Sequence, residues 1–290
     1  MQRLWAIILV GLFALDAGAA RLPVLAYHDL VQEPSPDELA ITAAQFSEQM
    51  AYLKQHGYQP ISLQTCKNAA KGRAQLPNKA VMLTFDDGLA SFAEVAAPVL
   101  KEYGFPAVLS VTTGWLMGEA VPESYRGRLL SPDKLRQLSR NPAIEILSHS
   151  NRLHESLIAD PQGSPGAAGI SYRYQAGKGY ETEAEYRLRI RRDLRASAER
   201  LGELTGRKPQ GIVWPYGLYN AVLSEEARTL GMEAQLALDD RLADCMEYPY
   251  ISRLLLRRVR TLADFETVLR LDNPPQPTRF VEIRLDDVAS

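Results

Sequence analysis

Thr84-Phe85-Asp86-Asp87-Gly88 sets two adjacent carboxylates at the end of the apolar run Ala80-Val81-Met82-Leu83. Once buried, charges at a strand end must pair, bind metal or become protonated. Neighbours on a strand point to opposite faces, so the two acids are expected to hold different jobs. Gly88 frees the backbone for a tight turn into the next element. An ordinary surface turn is the rival reading of Asp-Asp-Gly.

A second group is the pair His149 and His154, five residues apart and two of only four histidines in the chain. On a helix that spacing would rotate the second ring by ~140° from the first. The pair therefore needs a strand end running into a loop or a helix start. Two histidines and one aspartate form an open ligand set for a zinc-type cation, with room for water. A polar surface loop is the bland alternative, which loses ground beside an acidic strand end upstream. His28 closes the run Leu22-Pro23-Val24-Leu25-Ala26-Tyr27, where a hydrogen-bonded core histidine is the competing reading. His56, just before Gly57, reads as a helix C-terminal residue favoured by the dipole. In Trp214-Pro215-Tyr216-Gly217 the two aromatics offer a flat apolar surface suited to sugar rings, although Trp214 reads equally as core.

The elements that must position these groups alternate along the chain. Strands are predicted over 22–28, 58–63, 80–85, 105–111, 143–147, 211–214 and 234–238. Helices are predicted over 42–57, 93–103, 132–139, 182–205, 224–230 and 262–271. Residues 159–179 are glycine-rich and too long for a routine connector, so a functional surface loop is expected. Strands alternating with helices imply a parallel α/β arrangement, either a barrel or an open sheet. Such folds put chemistry at the carboxyl ends of their strands. His28, Asp86, Asp87, His149 and Tyr216 all lie just past predicted strands, which argues for one site built from all of them.

At 290 residues, 46% apolar and 23% charged, the chain has the composition of a soluble globular protein with a sizeable core. A net charge of −2 supplies no basic footprint for nucleic acid. Residues 1–20 run from Arg3 through an apolar stretch to Ala17-Gly18-Ala19-Ala20, the order of a cleavable signal peptide, with no lipid-anchor cysteine at the junction. Export to the periplasm or the exterior follows as an expectation. Cys66 and Cys245 lie 179 positions apart without a metal-site pattern; they read as core residues or a disulfide, with no catalytic role. Residues 273–290 read as a Pro-rich linker and a truncated tail, with Phe280 to Ser290 expected to pack poorly.

Three of these motifs, taken in order, carry a resemblance. Thr84-Phe85-Asp86-Asp87-Gly88, the pair His149 and His154, and Trp214-Pro215-Tyr216-Gly217 resemble the motifs of the polysaccharide deacetylases, carbohydrate esterase family four. Tyr27-His28 preceding the Asp-Asp motif, the five-residue histidine spacing and the Gly-rich insertion are similar to its poly-β-1,6-N-acetyl-D-glucosamine branch, found in biofilm exopolysaccharide systems. The resemblance spans roughly residues 22–271 within a deacetylase domain over 21–272, and it implies a distorted (β/α) barrel. It also implies that Asp87, His149 and His154 hold a divalent metal and that Asp86 is the general base. On the same reading His28 is the general acid, and a backbone N–H near Tyr216 stabilises the oxyanion. Zinc suits the ligands, and nickel, cobalt or iron fit the same set. The implied partners are poly-N-acetylglucosamine and exopolysaccharide export machinery. One departure stands out: the family's third motif has an arginine before its prolines that helps to position the base, and Ile212-Val213-Trp214 has none. Asp239-Asp240 is left open between supporting the site and starting a turn. Chitin or peptidoglycan glycan as substrate, or a non-catalytic polysaccharide-binding module, are the rival functions.

Overall fold

A computed structural model describes residues 21–270. The expected signal peptide over 1–20 and the linker and tail over 273–290 lie outside them. The central sheet comprises β1 (Val24–Tyr27), β2 (Gln59–Pro60), β3 (Ala80–Phe85), β4 (Ala107–Val111), β5 (Ile144–Ser148), β6 (Gly211–Val213), β7 (Ala234–Leu238) and β8 (Tyr250–Leu255). Seven of these run in the order β1-β8-β7-β6-β5-β4-β3, and β3 pairs back onto β1, so the ring closes with every pairing parallel. The short β2 pairs with Ala80 and Val81 at the start of β3, while β1 takes Met82 to Phe85. Between a barrel and an open sheet, the fold is the barrel.

Period-two alternation sorts the strand residues. Val81, Leu83 and Phe85 pack with Phe46, Leu53 and Leu100 of the surrounding helices, whereas Met82 joins Val108, Leu147, Val213, Leu236 and Ile251 in a separate buried cluster that fills the bore. Each such side chain contributes roughly 1.5–3 kcal/mol on burial. The helices are α1 (Ala43–Gln55), α2 (Leu63–Ala70), α3 (Ala97–Tyr103), α4 (Thr113–Leu116), α5 (Pro132–Leu138), α6 (Glu183–Thr205), α7 (Ala221–Thr229) and α8 (Leu262–Leu269). Helix α1 starts at a Thr42–Gln45 capping box and ends at His56, whose ring stacks on Tyr52. Helix α6 likewise starts at a Thr182–Glu185 box, and Tyr186, Ile190, Leu194 and Leu201 form its buried stripe.

Sequence reading did not anticipate α2, α4 or β8, and the strand expected over 58–63 shrinks to Gln59–Pro60 because Ser62 caps α2. The glycine-rich segment carries two short antiparallel pairs, Ser156–Ile158 with Pro165–Ala167 and Tyr174–Gln175 with Gly179–Tyr180. At the amino-terminal end of the barrel, Cys66 of α2 and Cys245 form a disulfide with Cα atoms 5.3 Å apart. Beside it Arg21–Leu22 pairs antiparallel with Ala243–Asp244.

Candidate active site

The carboxyl ends of β1, β3, β5 and β6 deliver the predicted residues to one mouth of the barrel. Alternation along β3 continues through Asp86, which follows Met82 and Thr84 into the bore. There Asp86 Oδ1 accepts from Ser110 Oγ of β4 and from Arg253 of β8, each at 2.9 Å. Asp86 Oδ2 faces His28 Nε2 at 3.9 Å. The Asp86 amide donates to the Tyr27 carbonyl at 3.0 Å, which ties the two strand ends together. Asp87 then breaks the alternation with φ 71°, in the left-handed region that few side chains occupy. Gly88 follows at φ 74°, where an added methyl would lie 3.1 Å from the Val111 side chain. The left-handed turn at Asp87, continued without strain by Gly88, is the local device that sends two neighbouring acids to different partners.

Asp87 Oδ1 lies 3.5 Å from His149 Nε2 and 3.5 Å from His154 Nε2. The two ring nitrogens are 2.8 Å apart. One ligand atom from each residue falls within 4.8 Å of the others. Asp87 and His149 are 2% exposed, and Asp87 Oδ1 is buried with no hydrogen-bond partner. A buried carboxylate oxygen without a donor, facing two imidazole nitrogens, is a donor set for a cation. His149 Nδ1 donates to the Val213 carbonyl at 2.7 Å. Because a carbonyl only accepts, this bond fixes a proton on Nδ1 and leaves Nε2 facing Asp87.

The electrostatics match this division of roles. Burial alone would raise Asp86, but the Arg253 charge, followed by His149 and His28, brings its carboxyl down to about 2. Asp87 is likewise held well below the carboxylate range, with burial opposing and His149 and His154 prevailing. Burial, then the neighbouring His149, takes His154 down to about 3 and keeps its ring in the neutral form that ligates metals.

The five-residue histidine spacing is built as a turn. Ser150 sits at φ 68°, its amide donates to Ser148 Oγ at 2.9 Å, and its own Oγ accepts from the Leu153 amide at 3.1 Å. Asp193 of α6 accepts the amides of Asn151 and Arg152 at 2.9 and 2.8 Å. Amides of Thr113 and Gly114 in α4 donate to the carbonyls of Ser150 and Asn151 at 3.1 and 3.0 Å. A methyl at Gly114 would lie 2.5 Å from the Asn151 carbonyl, so the approach requires glycine.

Tyr216 heads the remaining wall. It is 51% exposed at φ 58°, its ring lies 4.7 Å from that of His154, and its hydroxyl donates to the His154 carbonyl at 2.6 Å. Trp214 requires a correction: it is wholly buried among Ile212, Leu223 and Ala237 and stacks near Tyr219, so it offers no face to a sugar. The next residue along a strand lies on the opposite side, and the bore takes Val213. Asp239 accepts from Ser252 Oγ at 2.8 Å and opens the turn after β7.

Two functional groups escaped sequence reading. Arg253 is fully buried and pairs with Asp86, supplying from β8 the arginine missing before Trp214. Tyr125 donates its hydroxyl to Asp87 Oδ2 at 3.0 Å from the segment between α4 and α5. The only signal for Arg253 was a lone arginine inside the apolar run Ile251-Ser252-Arg253-Leu254-Leu255. Tyr125 had none.

Comparison with known proteins adds an independent line. A family profile described as Polysaccharide deacetylase matches residues 73–235, more than half of the chain. Poly-beta-1,6-N-acetyl-D-glucosamine N-deacetylase of Escherichia coli (strain K12) is 30% identical over 273 residues, covering 91% of this chain and 41% of that protein. The chain thus spans about two fifths of the length of that curated relative. Among solved structures, the de-N-acetylase from Aggregatibacter actinomycetemcomitans matches with a TM-score of 0.78 and 31% identity, covering 86% of this chain and 100% of that one. The BpsB deacetylase domain from Bordetella bronchiseptica matches at 0.70 and 30%, covering 81% and 95%.

Proposed function

The chain belongs to the polysaccharide deacetylase family, and from that premise we propose that it is an exported, metal-dependent hydrolase. Its proposed reaction is removal of N-acetyl groups from poly-β-1,6-N-acetyl-D-glucosamine. The observation that carries this reading is the unpartnered Asp87 Oδ1 facing two imidazole nitrogens, next to a second carboxylate held ionised by Arg253. The substrate rests on relatives named for that activity. The Cys66–Cys245 disulfide supports an oxidising compartment, and exopolysaccharide export machinery is the partner that location suggests.

Asp87, His149 and His154 would hold a divalent cation, zinc by preference of the donor set. Such a cation supplies Lewis acidity, lowering the pKa of a water and polarising an acetamide carbonyl. Asp86 takes a proton from the attacking water through Oδ2, because Arg253 and Ser110 occupy Oδ1. The amide at the left-handed Tyr216 turn donates to the oxyanion that develops on the carbonyl. His28, beside Asp86, gives a proton to the departing amine as the C–N bond breaks. Acetate and a free amine result.

Acetate release from β-1,6-linked and β-1,4-linked N-acetylglucosamine polymers, before and after chelation, tests the proposal. Release from the β-1,6 polymer, lost on chelation and restored by zinc, is expected. Asp86→Asn should lower it by about 10²–10⁴-fold with zinc still bound. Release from the β-1,4 polymer alone would reassign the substrate. A wild-type protein that binds acetylated glycan without releasing acetate would overturn the catalytic reading.

A further inference from the structure

We propose that Tyr125 is a positioning residue for the metal site, assigning one oxygen of Asp87 to the cation and withholding the other. The proposal rests on the metal reading above. A carboxylate can offer a cation either oxygen or both, and the choice sets the geometry of the site. Here the Tyr125 hydroxyl donates to Oδ2 at 3.0 Å, while Oδ1 is left without a donor and faces both histidines. One hydrogen bond therefore distinguishes two chemically equal atoms. A phenol suits this task because it donates without adding charge beside a cation.

The tyrosine is itself held. Its ring meets Trp115 edge-on at 5.3 Å, and the same indole lies 4.9 Å from the His154 ring, so one side chain braces both His154 and the tyrosine that tethers Asp87. Just beyond Tyr125 the backbone is bound to the Asp-Asp-Gly turn and the residues that follow it. Ala90 donates to the Arg128 carbonyl at 2.7 Å, Leu130 donates to the Gly88 carbonyl at 2.9 Å, and Leu89 bridges Leu129. Arg128 pairs with the buried Asp29, which also accepts from Ser91. The strap and the turn thus form one body, which holds the Tyr125 hydroxyl against Asp87 Oδ2.

Tyr125→Phe keeps the ring against Trp115 and removes only the donor. Zinc affinity is read by competition with a chromogenic chelator on the metal-free full chain, alongside its melting temperature. The expected result is zinc binding weakened about 10–100-fold with the metal-free melting temperature unchanged, and an altered visible spectrum of the cobalt-loaded protein. In an Asp87→Asn background the same substitution should leave zinc affinity unchanged. Equal zinc affinity of wild type and Tyr125→Phe would overturn the proposal while leaving the metal reading intact. So would a fall in metal-free stability that accounts for the whole loss. A wild type without one zinc per chain would instead remove the reading beneath it.

Discussion

At the base of the bore Met82, Val108, Leu147, Val213, Leu236 and Ile251 pack together, whereas at the mouth Thr84, Ser110, Arg253 and Asp86 occupy it. The same strands contribute to both ends, two residues apart along β3, β4 and β8. Around the base, a disulfide, the short Arg21–Leu22 pairing and a capped α2 hold the ends of the barrel. Around the mouth, Asp87, Ser150 and Tyr216 have left-handed backbones, and buried charges sit where apolar residues would pack more easily. The difference teaches where the fold draws its stability and where that stability is spent on chemistry. A barrel with an apolar base can tolerate a polar, strained mouth.

The sharpest way to break this contrast is Arg253→Met. The guanidinium has no exposed surface and its partner Asp86 is nearly as buried, so its loss leaves an unpaired carboxylate. Thermal or urea unfolding should show a loss of about 3–5 kcal/mol, with acetate release falling as well because Asp86 loses its orientation. Adding Asp86→Asn should recover part of the stability and none of the activity. If Arg253→Met unfolds like wild type, the mouth is not the strained end.

At the base the disulfide should behave oppositely. Replacing Cys66 and Cys245 together by alanine is expected to lower stability by about 2–5 kcal/mol. Acetate release, measured well below the melting temperature, should stay within twofold of wild type. A large loss of activity in the folded variant would show that the base shapes the mouth. The smallest effect belongs to Glu145, whose carboxylate accepts the amides of Leu63 and Gln64 at 2.7 and 3.2 Å and so caps α2. Glu145→Gln loses the charge at a helix start and one of the two accepting oxygens, so unfolding should shift by about 0.5–1.5 kcal/mol with unchanged activity.

Legibility in the sequence follows the range of the interactions involved. Ala80–Phe85 and Ala234–Leu238 were readable to the residue because an apolar run between turn signals is a local property. The start of α6 was equally local, since Thr182 and Glu185 cap it within three positions. The site residues past β1, β3, β5 and β6 were legible because side-chain type and strand end coincide. Strand β8 was not: Ser252 and Arg253 interrupt its apolar pattern, and the arginine is tolerable only because Asp86, 167 positions away, meets it in the bore. Helix α4 spans four residues, too short for a helical period. Trp214 was ambiguous because an aromatic at a strand end serves a core or a cleft equally well, and only the closed ring decides which side of β6 it occupies.

The ring order has one more consequence. The first barrel strand, β1, lies beside the last, β8, with Leu25 opposite Leu254 and Ala26 opposite Leu255. During synthesis Tyr27 and the Asp-Asp turn can meet early, through the β1–β3 pairing. Arg253 arrives only with the closing strand. Until then Asp86 has no arginine to hold it, and sealing the barrel requires the most distant contacts in the chain, which are the slowest kind to form. The Asp86–Arg253 pair therefore forms only when β1 and β8 meet, so one closure completes both the ring and the candidate site.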